Sequence, residues 1–553
     1  MTNNLNFFKG DHTFTLGFSF EKFEFDNSFN LGAYGAQGVF FPTGSIADFR
    51  DPANEAGLVA FYQDAFNAAI AANNSLEANG EGNLNGWALA ETNVGQLAFY
   101  LQDEWNATEN FKLTYGIRFD RPLYFDSAQK AQDVIEVAPA YVPEIPYVNP
   151  NNGETVFFDS TELPTDNWLI SPRLGFNWDV HNNNTLQIRG GTGIFTGRFP
   201  FVWLGNQIAN PNVFFYQVVD PDFKWPQVWR TSLGADYRFD DGLILTADLS
   251  YSKDVNGPHV QNWGLLPPSE NLSGVDNRPV YGANDLINNA YVFSNSDKGR
   301  IWNAVLKAQK TFENGLYASL AYSYLNSKDV NSIEAEITGD AFVANAISGN
   351  ANDDVLSYSR YGDTHRFVGV ISQAFKTGTT ISAFYEYAQG GRFNYIYGGD
   401  INNDGSSIND LLYIPTSSEV GQMNFSGDGQ AAAFESFIQQ DDYLSEHRGE
   451  YAERYGALAP WRGRWDIKVL QDIKFANKNT IQLSVDVLNV GNLISSDWGI
   501  VEIPANQQVL GVTVDDNNVP TYTFDPNMTE TFSSDTSLLS RWQAQFGVRY
   551  IFN

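Results

Sequence analysis

Residues Gly95 to Asp120, GQLAFYLQDEWNATENFKLTYGIRFD, alternate between apolar and polar positions with a period of two. Leu97, Phe99, Leu101 and Trp105 fall on one face of an extended segment, and Gln96, Ala98, Tyr100, Gln102 and Glu104 on the other. After the turn NATEN, Phe111, Leu113, Tyr115, Ile117 and Phe119 share a face opposite Lys112, Thr114, Gly116, Arg118 and Asp120. Successive side chains of a strand point to opposite sides, so the pattern predicts a β-hairpin with strands of about ten residues. The unit recurs. Thr231 to Phe239 and Leu243 to Tyr251 flank Asp240-Asp241-Gly242, and Trp302 to Tyr324 turns at Phe312-Glu313-Asn314-Gly315. Further hairpins turn at Lys376-Thr377-Gly378 and at Ala476 to Asn479, between WDIKVLQDIKF and TIQLSVDVLNV. Glycine-bearing tight turns suit short hairpins.

The connections alternate in length. Short turns lie near residues 107, 182, 241, 314, 377 and 477. Long polar segments fill 26–92, 125–168, 198–227, 254–299, 328–357, 392–462 and 495–540. Short turns on one side and long loops on the other describe a barrel of the outer-membrane type. An aromatic residue also stands at or just before each short turn: Trp105, Trp178, Phe239, Phe312, Phe375 and Phe475. Together they predict one belt at the periplasmic interface, an alignment for which a soluble sandwich has no reason. Charges such as Arg230, Asp236, Arg238, Asp466, Lys468 and Asp486 lie on the polar face, which a sandwich would also allow. One strand near 12–25, six hairpins and a last strand from Arg541 to Phe552 give about fourteen strands, the first going out and the last coming back. In that last strand Trp542, Ala544, Phe546, Val548, Tyr550 and Phe552 share a face, and Asn553 follows. The fold class expected is all-β: a transmembrane antiparallel β-barrel with long extracellular loops, placed in the outer membrane among its lipids.

Composition changes this picture little. The chain of 553 residues carries 65 acidic and 33 basic residues, a formal net charge of −32. A nucleic acid would be repelled, so no such partner is expected. Cysteine is absent, which removes disulfides and thiolate chemistry. Aromatics reach 15% while mean hydropathy is −0.31, an odd mix for a soluble core. No apolar run approaches the roughly 18 to 20 residues of a spanning helix. MTNNLNFFKGDH has no basic region followed by an apolar stretch, so no signal peptide is read there.

Candidate chemistry is sparse. His12, His181, His259, His365 and His447 are scattered, without zinc spacing, and there is no GxSxG. RGGTGIFTG resembles a phosphate loop only superficially: no helix follows, and glycines let a barrel strand bend. The acid pairs Asp240-Asp241 and Asp353-Asp354 read as solvated turn residues. No enzymatic activity is expected and no cofactor is required. GDINNDGSSINDLLYIP, Gly399 to Pro415, holds the one metal pattern. Asp400, Asn402, Asp404, Gly405 and Ser406 match the start of a calcium loop, but position twelve is Leu411 and the nearest carboxylate is Asp410. That excludes an EF-hand. Two readings stay open: Asp400, Asn402, Asp404 and Asp410 hold one Ca²⁺ in an extracellular loop, or Asx side chains bond nearby backbone N–H groups.

Several segments resemble TonB-dependent outer-membrane receptors, nearest to the large Oar-like receptors of Bacteroidetes-type Gram-negative bacteria. They are SPRLGFNWDV with TLQIRGGTGIFTGR (Ser171 to Arg198), GDINNDG with NDLLYIP, APWRGRWDIKVLQD, SVDVLNVGNLISSDWG (Ser484 to Gly499) and the closing FGVRYIF. The resemblance runs in order from GDHTFTLGFSFEKF to the end. It implies a barrel of about 22 strands whose lumen holds a plug. It also implies capture of an unknown ligand by the loops and energised uptake through a TonB-type complex that acts on the plug. On this reading residues 1–553 are the C-terminal part of the barrel domain, with plug and signal peptide outside the chain. A passive pore, a surface binding or adhesion barrel and a soluble calcium-binding sandwich are the alternatives. The substrate is not read from the sequence.

Overall fold

The alternating segments pair in chain order in the computed structural model. The strands are β1 (Thr2–Lys9), β2 (His12–Asn27), β3 (Ala90–Thr108), β4 (Phe111–Leu123) and β5 (Leu169–Asp179). Next come β6 (Leu186–Thr196), β7 (Gln227–Arg238), β8 (Ile244–Asn262), β9 (Arg300–Thr311) and β10 (Leu316–Asp329). The sheet ends with β11 (His365–Ala374), β12 (Thr379–Ala388), β13 (Arg462–Phe475), β14 (Asn479–Leu488) and β15 (Gln543–Ile551). Each pairs antiparallel with its sequence neighbours. Three short strands, Tyr216–Val219, Ala290–Ser296 and Ser357–Tyr358, extend the sheet on the long-loop side. The structure describes all residues except 28–50, 61–62, 64–89, 138–142, 210–215, 283–288, 334–336, 476–478 and 553. The long segment expected over 26–92, the turn around Ala476 and Asn553 therefore fall largely or wholly outside the described residues.

Register assigns the faces, because residues directly opposite one another share a side. Leu233, Leu249, Ala304 and Tyr324 stand in one such row, and Leu306, Tyr322, Phe367 and Tyr387 in another. This side is apolar and exposed, with Leu306 at 60% and Leu320 at 57%. The six belt residues expected beside the short turns all lie exposed. A second aromatic row, Trp229, Tyr251, Trp302, Tyr324, Tyr387 and Trp461, closes the band on the long-loop side. Trp229 and Tyr237 are about 27 Å apart along β7 at a rise of about 3.4 Å per residue, or about 20 Å across a bilayer at a tilt of about 40°. That is close to the apolar height of an outer-membrane barrel.

Two expectations need correction. The sheet has fifteen long strands, not about fourteen, since Thr2–Lys9 pairs with β2 through a turn at Gly10. The asparagines of TNNLNFFK dilute its apolar face and hide it. Second, the outgoing strand expected near 12–25 is β2 and does run outward, but β1 precedes it and runs the other way. Both β1 and β15 run toward the short-turn side, and among the described residues each has one strand partner. Two edges that run the same way cannot close an antiparallel barrel with each other. Closure needs an odd number of further strands, and an unpaired edge in lipid costs several kcal/mol per unsatisfied group. Past β12 the segment TISAFYEYAQGGRFNYIYG does not continue as one strand. The sheet pairing stops at Ala388, where a Cβ on Gly390 would stand 2.4 Å from the Pro460 carbonyl, so the chain turns away.

The long loops are folded rather than merely polar. One buried cluster unites Tyr395, Tyr397, Leu412, Phe434, Phe437 and Phe524. Another unites Trp203, Leu204, Phe223, Trp225, Phe293 and Phe342 with Val94 and Leu169 at the strand ends. The helices Ser127–Val137 and Val202–Ala209 pack on β3. These loops therefore form a cored cap at the outer end of the sheet.

The short turns depend on left-handed glycines. Gly315 (φ 85) and Gly378 (φ 83) also meet backbone carbonyls, so a Cβ would lie 2.6 Å from Ala374 O and 2.7 Å from Asp472 O. Gly242 (φ 84) has open space around it. Gly242→Ala is expected to cost about 1–2 kcal/mol for the left-handed backbone alone, and Gly315→Ala more. Denaturant unfolding of the two variants in detergent checks the order.

Candidate functional site

The cap is pinned by one buried cation. Arg278 is 1% exposed on its side chain, as are its partners Asp276 (1%) and Asp410 (0%). Its Nη2 donates to Asp276 Oδ2 at 2.9 Å and to Leu411 O at 2.5 Å, and its Nη1 donates to Asp410 Oδ1 at 2.8 Å. The guanidinium lies over the Tyr397 and Tyr451 rings, 5.2 and 5.1 Å from their centroids. Both tyrosine hydroxyls donate to Asp276, at 3.1 and 2.7 Å. Burial opposes the charge of Arg278, but the two carboxylates outweigh it and keep the group cationic. Three segments distant in sequence, at 276–278, 396–411 and 451, meet on this side chain. Nothing in DNRP marks its arginine as central, because beyond Asp276 its bonded partners Asp410 and Leu411 are 132 and 133 residues away.

Asp400, Asn402 and Asp404 sit together beside this centre. Asp400 Oδ1 accepts from Asp404 N at 3.1 Å and its Oδ2 from Gly405 N at 2.9 Å. Asn402 Oδ1 accepts from Asp404 N at 2.9 Å, and Asp404 Oδ1 from Ser406 N at 2.9 Å. Burial pushes Asp400 up and Asp404 up to about 6, with the Asp400 charge adding to the latter. The fourth residue expected there, Asp410, turns instead to Arg278 and to Ile401 N, the latter at 3.1 Å. Burial pushes its carboxyl up, Arg278 pulls it down and Asp404 pushes it up again, with a net rise. The histidines stay apart: His12 pairs with Asp103 at 2.7 Å, and His259 is buried with Nε2 3.3 Å from Asn352 O. Asp353 is exposed, whereas Asp354 is less solvated than expected. Asp354 pairs with Lys298 at 2.6 Å and accepts from Ser296 at 2.9 Å.

Next to the Arg278 centre the cap holds a half-open cavity of about 280 Å³, lined among others by Val330, Asn345, Asp353, Leu411, Glu453 and Arg454. Below the cap, the polar face of the sheet carries paired charges. Arg189 bridges Asp236 and Asp248, Arg366 meets Glu386 at 2.7 Å, and Lys468 meets Asp486 at 2.8 Å. The glycines of RGGTGIFTG lie in β6, where Gly191 and Gly193 approach the backbone of β5 closely. The site is thus a cored outer cap with a small cavity of mixed polar and apolar lining above a charged, hydrogen-bonded inner wall.

A family model described as the outer membrane beta barrel domain matches residues 1–211. The chain is an outer-membrane β-barrel protein. No curated protein matches its sequence. Similar solved structures include the FrpB iron transporter from Neisseria meningitidis, at 12% identity and TM-score 0.40, covering 89% of this chain and 50% of that one. A mutant ferric enterobactin receptor from Pseudomonas aeruginosa has 12% identity and TM-score 0.44, covering 89% and 47%. The outer membrane transporter YddB from Escherichia coli has 11% identity and TM-score 0.46, covering 99% and 53%. The chain spans about half the length of these proteins.

Proposed function

We propose that this outer-membrane barrel is the conduit of a TonB-dependent transporter of the Oar-like type, from a Bacteroidetes-like Gram-negative bacterium. The cap captures a ligand from outside, and a TonB-type complex in the inner membrane supplies energy through a plug held in the lumen. The observation that carries this reading is the folded cap with its half-open cavity, set above a wall of paired charges. A general diffusion pore gains nothing from a cored lid over its mouth, whereas a capture device needs preorganised binding groups. The wall also offers a polar path. Its charges are already neutralised across strands, so a passing solute does not meet one strong field.

The test is uptake by cells that carry the gene and by a deletion strain, with a panel of labelled ferric chelate, cobalamin, oligosaccharide and peptide. Gene-dependent accumulation that a protonophore abolishes is the expected result. Gene-dependent accumulation that continues unchanged under the protonophore would establish a passive pore instead.

A further inference from the structure

The loop 400–410 buries alternate side chains. Asn402, Asp404, Ser406, Asn409 and Asp410 are buried, while Asn403, Gly405 and Ser407 are exposed. The inward oxygens are not saturated. Each carboxylate or amide oxygen accepts about two hydrogen bonds. Asn402 Oδ1 and Asp404 Oδ1 each take one bond from the backbone, which leaves a lone pair on each, whereas the Asp400 carboxylate faces the backbone N–H groups of Asn402, Asn403, Asp404 and Gly405. Asn409 adds an independent observation. It is 1% exposed, its Nδ2 donates to Asp404 Oδ2 at 2.8 Å, and its Oδ1 has no hydrogen-bond partner. That oxygen belongs to the same amide whose nitrogen is bonded to Asp404. A buried amide oxygen without a donor is unfavourable, so an acceptor left bare here points to a missing positive partner.

The charge count points the same way. Asp276, Asp410, Asp404 and Asp400 lie within one bonded neighbourhood, and Arg278 is engaged by the first two. Among the described residues, no Lys, Arg or His pairs with Asp400 or Asp404. Two partly or fully buried carboxylates this close require a cation or the loss of a charge.

We infer that Asp400, Asn402, Asp404 and Asn409 hold one hard divalent cation of the calcium kind. All four donors are oxygens, with no nitrogen or sulfur to favour a transition metal. An irregular loop suits calcium, which accepts six to eight oxygens in loose geometry, better than magnesium, which demands a strict octahedron. Water fills the remaining positions. Asp410 is not a ligand but anchors the loop to Arg278, and Asn409 takes the place that a position-twelve carboxylate would hold. With two carboxylates and no bidentate one, the affinity belongs to the class of extracellular modules, Kd about 10⁻⁴–10⁻³ M. The ion stiffens the cap over the cavity. This inference stands whether or not the barrel is an energised transporter.

The experiment is calorimetric titration of Ca²⁺ into the full chain, purified in detergent and stripped with EDTA, with Mg²⁺ as control. One saturable Ca²⁺ is expected, with weaker Mg²⁺ binding. Asp404→Asn keeps the size and the bond from Ser406 N and is expected to weaken Ca²⁺ at least about tenfold, because affinity follows ligand charge. Asn409→Asp adds charge at the bare oxygen and is expected to tighten binding by about the same factor. In parallel, Ca²⁺ should slow proteolysis within 389–461 in the natural chain and less so in D404N. No saturable binding up to about 10 mM, well above this affinity class, overturns the site. So does equal affinity of D404N and the natural chain, or an N409D variant that binds no tighter.

Discussion

Arg278→Met is expected to open the outer cap while the strands stay assembled. Arg278 carries the charge that balances Asp276 and Asp410, and its removal leaves both carboxylates in a site of about 1% exposure or less. Breaking a buried pair by deleting one partner costs about 3–5 kcal/mol, because an uncompensated charge remains. The loss also falls on the Leu411 carbonyl and on the two tyrosine rings, so three loop segments lose their common tie. Limited proteolysis of outer-membrane vesicles gives the readout. The variant should be cut within 389–461 under conditions in which the natural chain resists, with the far-UV β signal unchanged. Arg278→Lys should recover little, since an ammonium cannot reproduce the planar fork on Asp276 and Asp410. Replacing Asp276 and Asp410 by Asn together with Arg278→Met should recover part of the resistance, because no buried charge is then left unpaired. Equal protease resistance of Arg278→Met and the natural chain would show that the centre does not hold the cap.

Leu306→Lys is expected to block membrane assembly, and Val305→Lys, one residue away, to leave it nearly intact. Leu306 stands between the two aromatic rows, opposite Ala247 on β8 and Tyr322 on β10, and is 60% exposed on the apolar side. A lysine at the bilayer midplane costs about 2–4 kcal/mol on a barrel. Val305 lies opposite Asp248 and Ser323 on the polar side, where Lys307 already stands. A second lysine there meets water and an acid. The fraction of chain that resists extraction from outer membranes by urea measures the difference. Similar loss for both variants would mean that the side assigned to lipid is not the one that meets it.

The barrel was legible because its physics is local. The period of two, the turn glycines and the aromatic beside each turn sit within about ten residues of one another. They located the short turns correctly and gave the faces their identity. β1 escaped because its asparagines weaken the pattern. The direction of the edges escaped with it, since one unseen strand reverses the sense of the first. The cap was not legible for a different reason. Tyr397, Phe434 and Phe524 reach one core from segments far apart in sequence, none of which shows the long period-two alternation of the barrel strands. The calcium-like loop was visible as Asp400, Asn402 and Asp404. The sequence could not assign Asp410 to Arg278, 132 residues earlier, nor leave Asn409 with a bare oxygen.

By itself, then, the sequence determined an antiparallel outer-membrane sheet, its lipid and polar sides, and which connections are short. Alternation and turn chemistry act between near neighbours, and the bilayer demands that every strand obey them. Only the tertiary structure decided that the long loops share hydrophobic cores, that one arginine ties three of them, and that both edges of the sheet run the same way. Those properties depend on which distant segments meet, and the entropy of closing long loops is repaid only by contacts that no local pattern encodes.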